Sequence, residues 1–140
     1  MKDIILPKFI SIGIYNANIA HKNKTVTTNR KTTMFELELP IESGGVSYID
    51  STSHPIEENM VICAKPGQVR HTRMPFKCYY IHLTVKDGRL FDILNSLPNY
   101  IDIQDTTRLR EIFTAMCAHH LSGQSGDELM LQSLLMERSD

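Results

Sequence analysis

The chain of 140 residues is 41% hydrophobic, which suits one compact domain with a substantial core. Fifteen Lys and Arg against sixteen Asp and Glu leave a formal net charge of -1, so bulk charge predicts neither a nucleic-acid nor an anionic-membrane partner. No apolar run approaches the ~18 residues of a membrane span, and the opening MKDIILPKF has too short an apolar segment for a signal peptide.

The charges are unevenly spread. Residues 1–31 carry Lys2, Lys8, Lys22, Lys24, Arg30 and Lys31 against Asp3 alone, whereas 32–64 carry Glu36, Glu38, Glu42, Asp50, Glu57 and Glu58 with no Lys or Arg. Two solvated surfaces account for this pattern. Cys63, Cys78 and Cys117 are odd in number, lack CxxC spacing and sit in apolar runs, which predicts buried free thiols in a reducing, cytoplasmic compartment.

From Phe9 to about Val85 the hydrophobic period is mostly two. FISIGIY sets Ile10, Ile12 and Ile14 against Phe9, Ser11, Gly13 and Tyr15. FELELPIE is sharper: Phe35, Leu37, Leu39 and Ile41 are expected on a core face, with Glu36, Glu38 and Glu42 on a face that meets water. Ser43-Gly44-Gly45 tolerates positive φ and predicts a tight hairpin into the strand VSYID. STSHPIEEN reads as a turn region and MVICA as a buried strand; KPGQ is a turn from which Gln68–Thr72 re-enters as a strand, and KCYYIHLTV is an aromatic, β-branched strand. Short strands at this spacing predict a sandwich or barrel.

After Asp87-Gly88 the period becomes helical. RLFDILNSL should end near Pro98, because the residue before a proline favours extended backbone. Asp105 can cap a second helix whose apolar stripe is Leu109, Ile112, Phe113, Met116 and His120. Ser125-x-x-Glu128 marks a third start, followed by Leu129, Met130, Leu131, Leu134, Leu135 and Met136, too apolar to stand alone in water.

The order FELELPIESGGVSYID, ENMVICAKPGQVRH, an aromatic strand and then helices resembles the amino-terminal effector-binding and dimerisation domain of the AraC/XylS family of bacterial transcription regulators. The resemblance runs from Arg30 through ELMLQSLL. It implies a mainly β fold: a cupin-type jelly-roll barrel with a basic amino-terminal arm in residues 1–88, then about three α-helices in 89–140 that pair two subunits of a homodimer. It further implies that the barrel interior binds a small-molecule effector such as a sugar, with no cofactor, no membrane partner and no enzymatic activity. DNA would be reached only through a carboxy-terminal helix-turn-helix domain, expected to lie outside this chain. Asn59-Met60 stands where many family members have Gly-Asp, a small departure because Asn also tolerates a left-handed turn.

Many cupin enzymes hold a metal with an HxH pair, a glutamate and a later histidine. Counting back from Glu36, the HxH positions fall on Asn29 and Lys31, and a lysine ammonium repels a cation. His71 and His82 can approach on neighbouring strands, but two imidazoles alone make a weak site, so no metal is expected. GxSxG and GxxxxGK patterns are absent.

A polar effector in a low-dielectric interior needs a few donors and an aromatic platform. Arg30 matches a family arginine that holds a sugar; the alternative is a surface arginine pairing in the Glu36 region. Thr72, Cys78 and Tyr80 fall on family positions that face the ligand, and alternation groups Cys78, Tyr80 and His82 on one face. Tyr48 and Phe9 are further candidates, for which plain core packing is the better account. His71 reads as a polar lining or strand-end residue. The dimer interface is expected from Leu109, Ile112, Phe113 and Met116 together with Leu131, Leu134 and Leu135. Two other functions fit the same pattern: a metal-free cupin isomerase or epimerase with His71 or His82 as base, and a dimerisation module that binds nothing small.

Overall fold

The computed structural model describes residues 7–122, with side chains through residue 119. In chain order the elements are β1 (Lys8–Asn16), α1 (Ala17–Ala20), β2 (Arg30–Lys31), β3 (Phe35–Pro40), β4 (Val46–Ile49), β5 (Thr52–Pro55), β6 (Met60–Ala64), β7 (Val69–Arg73), β8 (Lys77–Thr84), α2 (Arg89–Ser96), β9 (Tyr100–Asp102) and α3 (Thr107–Ser122). Among the described residues strand outweighs helix, 42% to 22%, so the protein is mainly β as expected. The strands form two antiparallel sheets, ordered β1-β8-β3-β6-β9 and β2-β7-β4-β5, and neither closes on itself.

Two cores lie on opposite faces of the five-stranded sheet. On one face Ile12, Phe35, Leu37, Leu39, Ile81 and Leu83 pack against Leu94 of α2 and Leu109, Ile112, Phe113 and Met116 of α3. On the other, Met60, Ile62, Ala64 and Cys78 meet Ile49, Ile56 and Phe76 across the space between the sheets. β3 is therefore buried at all six positions. The expected wet face does not exist: Glu36 and Glu38 alternate with the leucines, but their side of the strand points at the second sheet.

Three further expectations are corrected. Ser43-Gly44-Gly45 does not close a hairpin; it carries the chain from β3 in one sheet to β4 in the other. Gly44 takes φ 137, and a Cβ on Gly45 would lie 2.2 Å from the Pro75 carbonyl oxygen and 2.3 Å from that of Arg73, so the crossing needs a residue without a side chain. Pro66-Gly67 makes the equivalent crossing from β6 to β7, with Gly67 at φ 92. The polar stretch from Ser51 contains a strand, β5, paired to β4 at the sheet edge. Within the basic segment of residues 1–31, expected as an arm, residues 8–16 form β1, the strand expected at FISIGIY, paired along its length with β8.

The helices follow the sequence signals more closely. α2 stops at Ser96, with Leu97 in extended conformation before Pro98, and Asp105 Oδ1 accepts the Thr107 backbone N–H at 3.0 Å at the start of α3. Between them β9, not foreseen, adds three residues to β6. Leu109, Ile112, Phe113 and Met116, assigned from sequence to a dimer seam, are at most 6% exposed within their own chain. Their apolar surface is already used against the sheet. Leu131, Leu134 and Leu135, with the third helix, lie outside the described residues. Among the described residues no helix is long and apolar enough to cross a membrane.

Candidate functional site

The space between the sheets is divided. Toward β4, β5 and β6 it is filled by apolar side chains; toward β1, β2, β7 and β8 it opens into a cavity of about 350 Å³. That is room for about a dozen waters at ~30 Å³ each and falls in the range of small-molecule pockets. Strand alternation selects its lining: β1 contributes Ser11 and Tyr15, β8 contributes Tyr80 and His82, and β7 contributes Arg70 and Thr72. The connection from β1 to β2 covers one side with Ala17, His21, Thr27 and Thr28.

Its hydroxyls are ordered by pairing. Tyr80 Oη and Ser11 Oγ share a hydrogen bond of 2.8 Å, as do Tyr15 Oη and His21 Nε2. Gly13 lies opposite Tyr80 in the β1–β8 register, and a Cβ there would come within 3.3 Å of the tyrosine oxygen, so the small residue leaves space for the ring. Thr27 Oγ1 accepts the Thr72 backbone N–H at 2.8 Å, tying the covering segment to β7.

One wall is a network of two arginines and two glutamates. Arg30 Nη1 and Nη2 donate to both oxygens of Glu36 at 2.7 and 2.8 Å. Arg70 Nη1 donates to Glu36 Oε1 at 2.8 Å and to Glu38 Oε2 at 3.2 Å, and Arg70 Nη2 donates to Glu38 Oε1 at 2.6 Å. The Arg70, Glu36 and Glu38 side chains are 4%, 2% and 7% exposed, whereas Arg30 is 54% exposed at the margin. Charges this deep persist only when matched and hydrogen-bonded. Burial alone would raise the Glu36 pKa, but the Arg30 hydrogen bond and the Arg70 charge outweigh it and hold the carboxyl below its ordinary value. Burial would likewise depress Arg70, yet the two carboxylates reverse the sign and raise it. Both arginines and Glu36 are charged at neutral pH.

Burial pushes His82 below its ordinary 6.5 despite the opposing pull of Glu36 and Glu38, so at pH 7 it is mainly neutral. Cys78 is raised by burial and by Glu38, and Cys63 is pushed up by burial to about 12; neither supplies a thiolate. Ligand atoms of Glu36, Glu38 and His82 lie within 4.8 Å of one another. Every oxygen of those carboxylates already accepts a guanidinium N–H, and a cation there would face Arg70 directly. The trio fits an internal ion pair better than a metal centre.

Of the residues selected from sequence, Arg30, Thr72, Tyr80 and His82 converge on the cavity. Arg30 also realises its alternative role as the partner of Glu36. Cys78 does not line the cavity: it is 0% exposed among apolar side chains. Tyr48 does not reach it either, because Ser47 and Ile49 take the inward positions of β4. Its ring stacks on His71 at 4.4 Å and 6° on the opposite face; His71 therefore borders the cavity while its ring is engaged outside. Phe9 packs against the helix-facing core.

Ser11, Tyr15, His21, Thr27, Thr28, Glu38 and Arg70 were missed. For Arg70 a signal existed: if Thr72 faces inward, period two sends Arg70 inward and His71 outward. For Glu38 none did, since a strand buried on both faces keeps the alternation of one buried on a single face. No protein-family model matches this chain, and no curated protein sequence matches it.

Proposed function

We propose that the chain is the regulatory domain of a bacterial transcription regulator of the AraC type, binding a small polar effector such as a sugar between its sheets and acting as a homodimer. The observation that carries this reading is the half-open cavity between the sheets on which Arg30, Thr72, Tyr80 and His82 converge. A cupin-like jelly roll is supported by the strand pairing. β1 pairs with β8, β2 with β7, β3 with β6 and β4 with β5, with β8 and β7 then meeting β3 and β4. That is the order produced by rolling up one long antiparallel hairpin. Dimerisation and a link to a DNA-reading domain rest on the family resemblance alone.

The cavity offers what an uncomplexed polyol or similar molecule needs: hydroxyls from Ser11, Tyr15, Thr28 and Tyr80, and the aromatic faces of Tyr15, Tyr80 and Phe76. Arg30 uses two of its five N–H donors on Glu36 and keeps the others for a ligand. The test is a small-molecule panel read by thermal unfolding of the wild type and of Arg30→Ala. A binding-competent site gains RT ln(1 + [L]/Kd), about 2.7 kcal/mol at a hundredfold excess over Kd. The variant should fold, since Arg30 is half-exposed and Arg70 still holds Glu36, and it should lose that gain. An equal shift in the variant removes Arg30 from the site.

One observation favours a second reading, a metal-free isomerase or epimerase: a neutral, half-buried His82 beside the cavity has the protonation state of a general base. The His71 version of that idea loses its support because the ring stacks on Tyr48. Turnover of a bound ligand that His82→Gln abolishes would favour the enzyme; binding without turnover favours the regulator.

A further inference from the structure

We infer that the cavity admits an uncharged ligand and rejects anions, with Glu38 as the residue that sets this selectivity; the inference rests on the effector-binding reading. Arg30 and Arg70 against Glu36 and Glu38 sum to zero formal charge, and each carboxylate oxygen already accepts a guanidinium N–H. A ligand carboxylate or phosphate would need a guanidinium of its own. Arg70 is buried and has both terminal nitrogens committed. Arg30 is bidentate to Glu36, so its charge is already balanced: its remaining N–H donors can meet an uncharged acceptor, whereas an anion there would compete for that one cation with a carboxylate that is 2% exposed. Removing one partner of a buried ion pair is far costlier than never burying the pair.

Glu38 differs from Glu36 in lining the cavity. A carboxylate has about four acceptor sites, and Arg70 fills two of those on Glu38. The remaining lone pairs accept from a ligand hydroxyl or amide N–H and repel a ligand oxyanion. The same ligand can accept in turn from Thr28 or Thr72, whose hydroxyls border the same space. Lys22, Lys24 and Lys31 do not change the sign of this argument. They are exposed, and among the described residues no carboxylate pairs with them. Charges in that position raise encounter rates and are screened by salt, without neutralising an anion inside.

The experiment uses the full chain and matched probes: small polyols and primary amides, each beside its carboxylate or phosphate counterpart. Calorimetry gives affinity, and NMR shifts of the Tyr80 and His82 rings report that binding occurs in the cavity. In the wild type the uncharged probes should bind, with their anionic counterparts at least about 100-fold weaker. Glu38→Gln keeps the shape and leaves the cluster one charge more positive, so it should bring each pair to within about tenfold. An anion that binds the wild-type cavity as tightly as its uncharged partner overturns the inference while leaving the cavity as an effector site. A Glu38→Gln variant that folds with an unchanged ratio removes Glu38 from the role. Should that variant fail to fold, the wild-type ratio decides alone. If no probe of either kind moves Tyr80 and His82, the effector-binding reading itself falls, and the selectivity with it.

Discussion

Arg70 sits where its loss cannot be absorbed by water. Replacing it with Met leaves Glu38 without a cation and Glu36 with only the half-exposed Arg30, in a region where the three side chains are at most 7% exposed. The expected cost is ~3–5 kcal/mol, read as a lower denaturant midpoint at unchanged slope. The same groups set the acid limb of stability. Glu36 has a folded pKa below its ordinary 4.5. The unfolded chain therefore takes up its proton first, and the stability Glu36 contributes above that pH is lost as pH falls through the folded value. His82, held neutral by burial below its ordinary 6.5, acts with the same sign and begins earlier. Stability measured against pH should thus decline from about 6.5 downward and more steeply below 4.5. His82→Gln should flatten the upper part of that decline and Glu36→Gln the lower; a curve unchanged in both variants would remove the pair from the acid response.

At the scale of elements, the stripe on α3 separates a core from an interface. Phe113 is 0% exposed against β-sheet residues of its own chain, so Phe113→Ala should cost ~3–5 kcal/mol. Sedimentation of the folded variant should show the same association state as the wild type. A change in association without loss of stability would return the stripe to an interface. The periodicity of α3 was legible in sequence, and so was its Asp105 start, because both depend on neighbours within a few residues. What the stripe packs against was not legible, since an apolar face specifies only that something apolar covers it. The glycine turns illustrate the same division. Gly44 and Gly67 both take positive φ, as their surroundings predicted. Whether such a turn joins neighbours in one sheet or carries the chain across to the other is decided by partners tens of residues away.

For the whole molecule, the proposed regulatory role calls for a surface that pairs two chains. With the α3 stripe used internally, the residues of the expected seam still to be tested are Leu131, Leu134 and Leu135, beyond the described residues. Leu131→Asp tests it. On the proposed reading, the wild-type chain should show a monomer–dimer equilibrium across a concentration series, and the variant should shift it to monomer, because an unpaired carboxylate in such a seam is costly. A wild type that stays monomeric throughout, or a variant that behaves identically, removes that stretch from any dimer.

By itself the sequence determined the mainly β character, the positions of most strands, α2 and α3, and the burial of Cys63 and Cys78. These follow from period, turn chemistry and hydrophobicity, which act over a few residues. It also led to four cavity residues, Arg30, Thr72, Tyr80 and His82, through the family resemblance and strand alternation. Only the tertiary structure decided that neither face of β3 is wet. FELELP alternates identically whether its glutamates meet water or meet Arg70, and the cation that makes the second arrangement possible lies 32 residues beyond Glu38. A buried charge is stable solely through partners brought from elsewhere in the chain, so the feature that gives this cavity its character has no local signature.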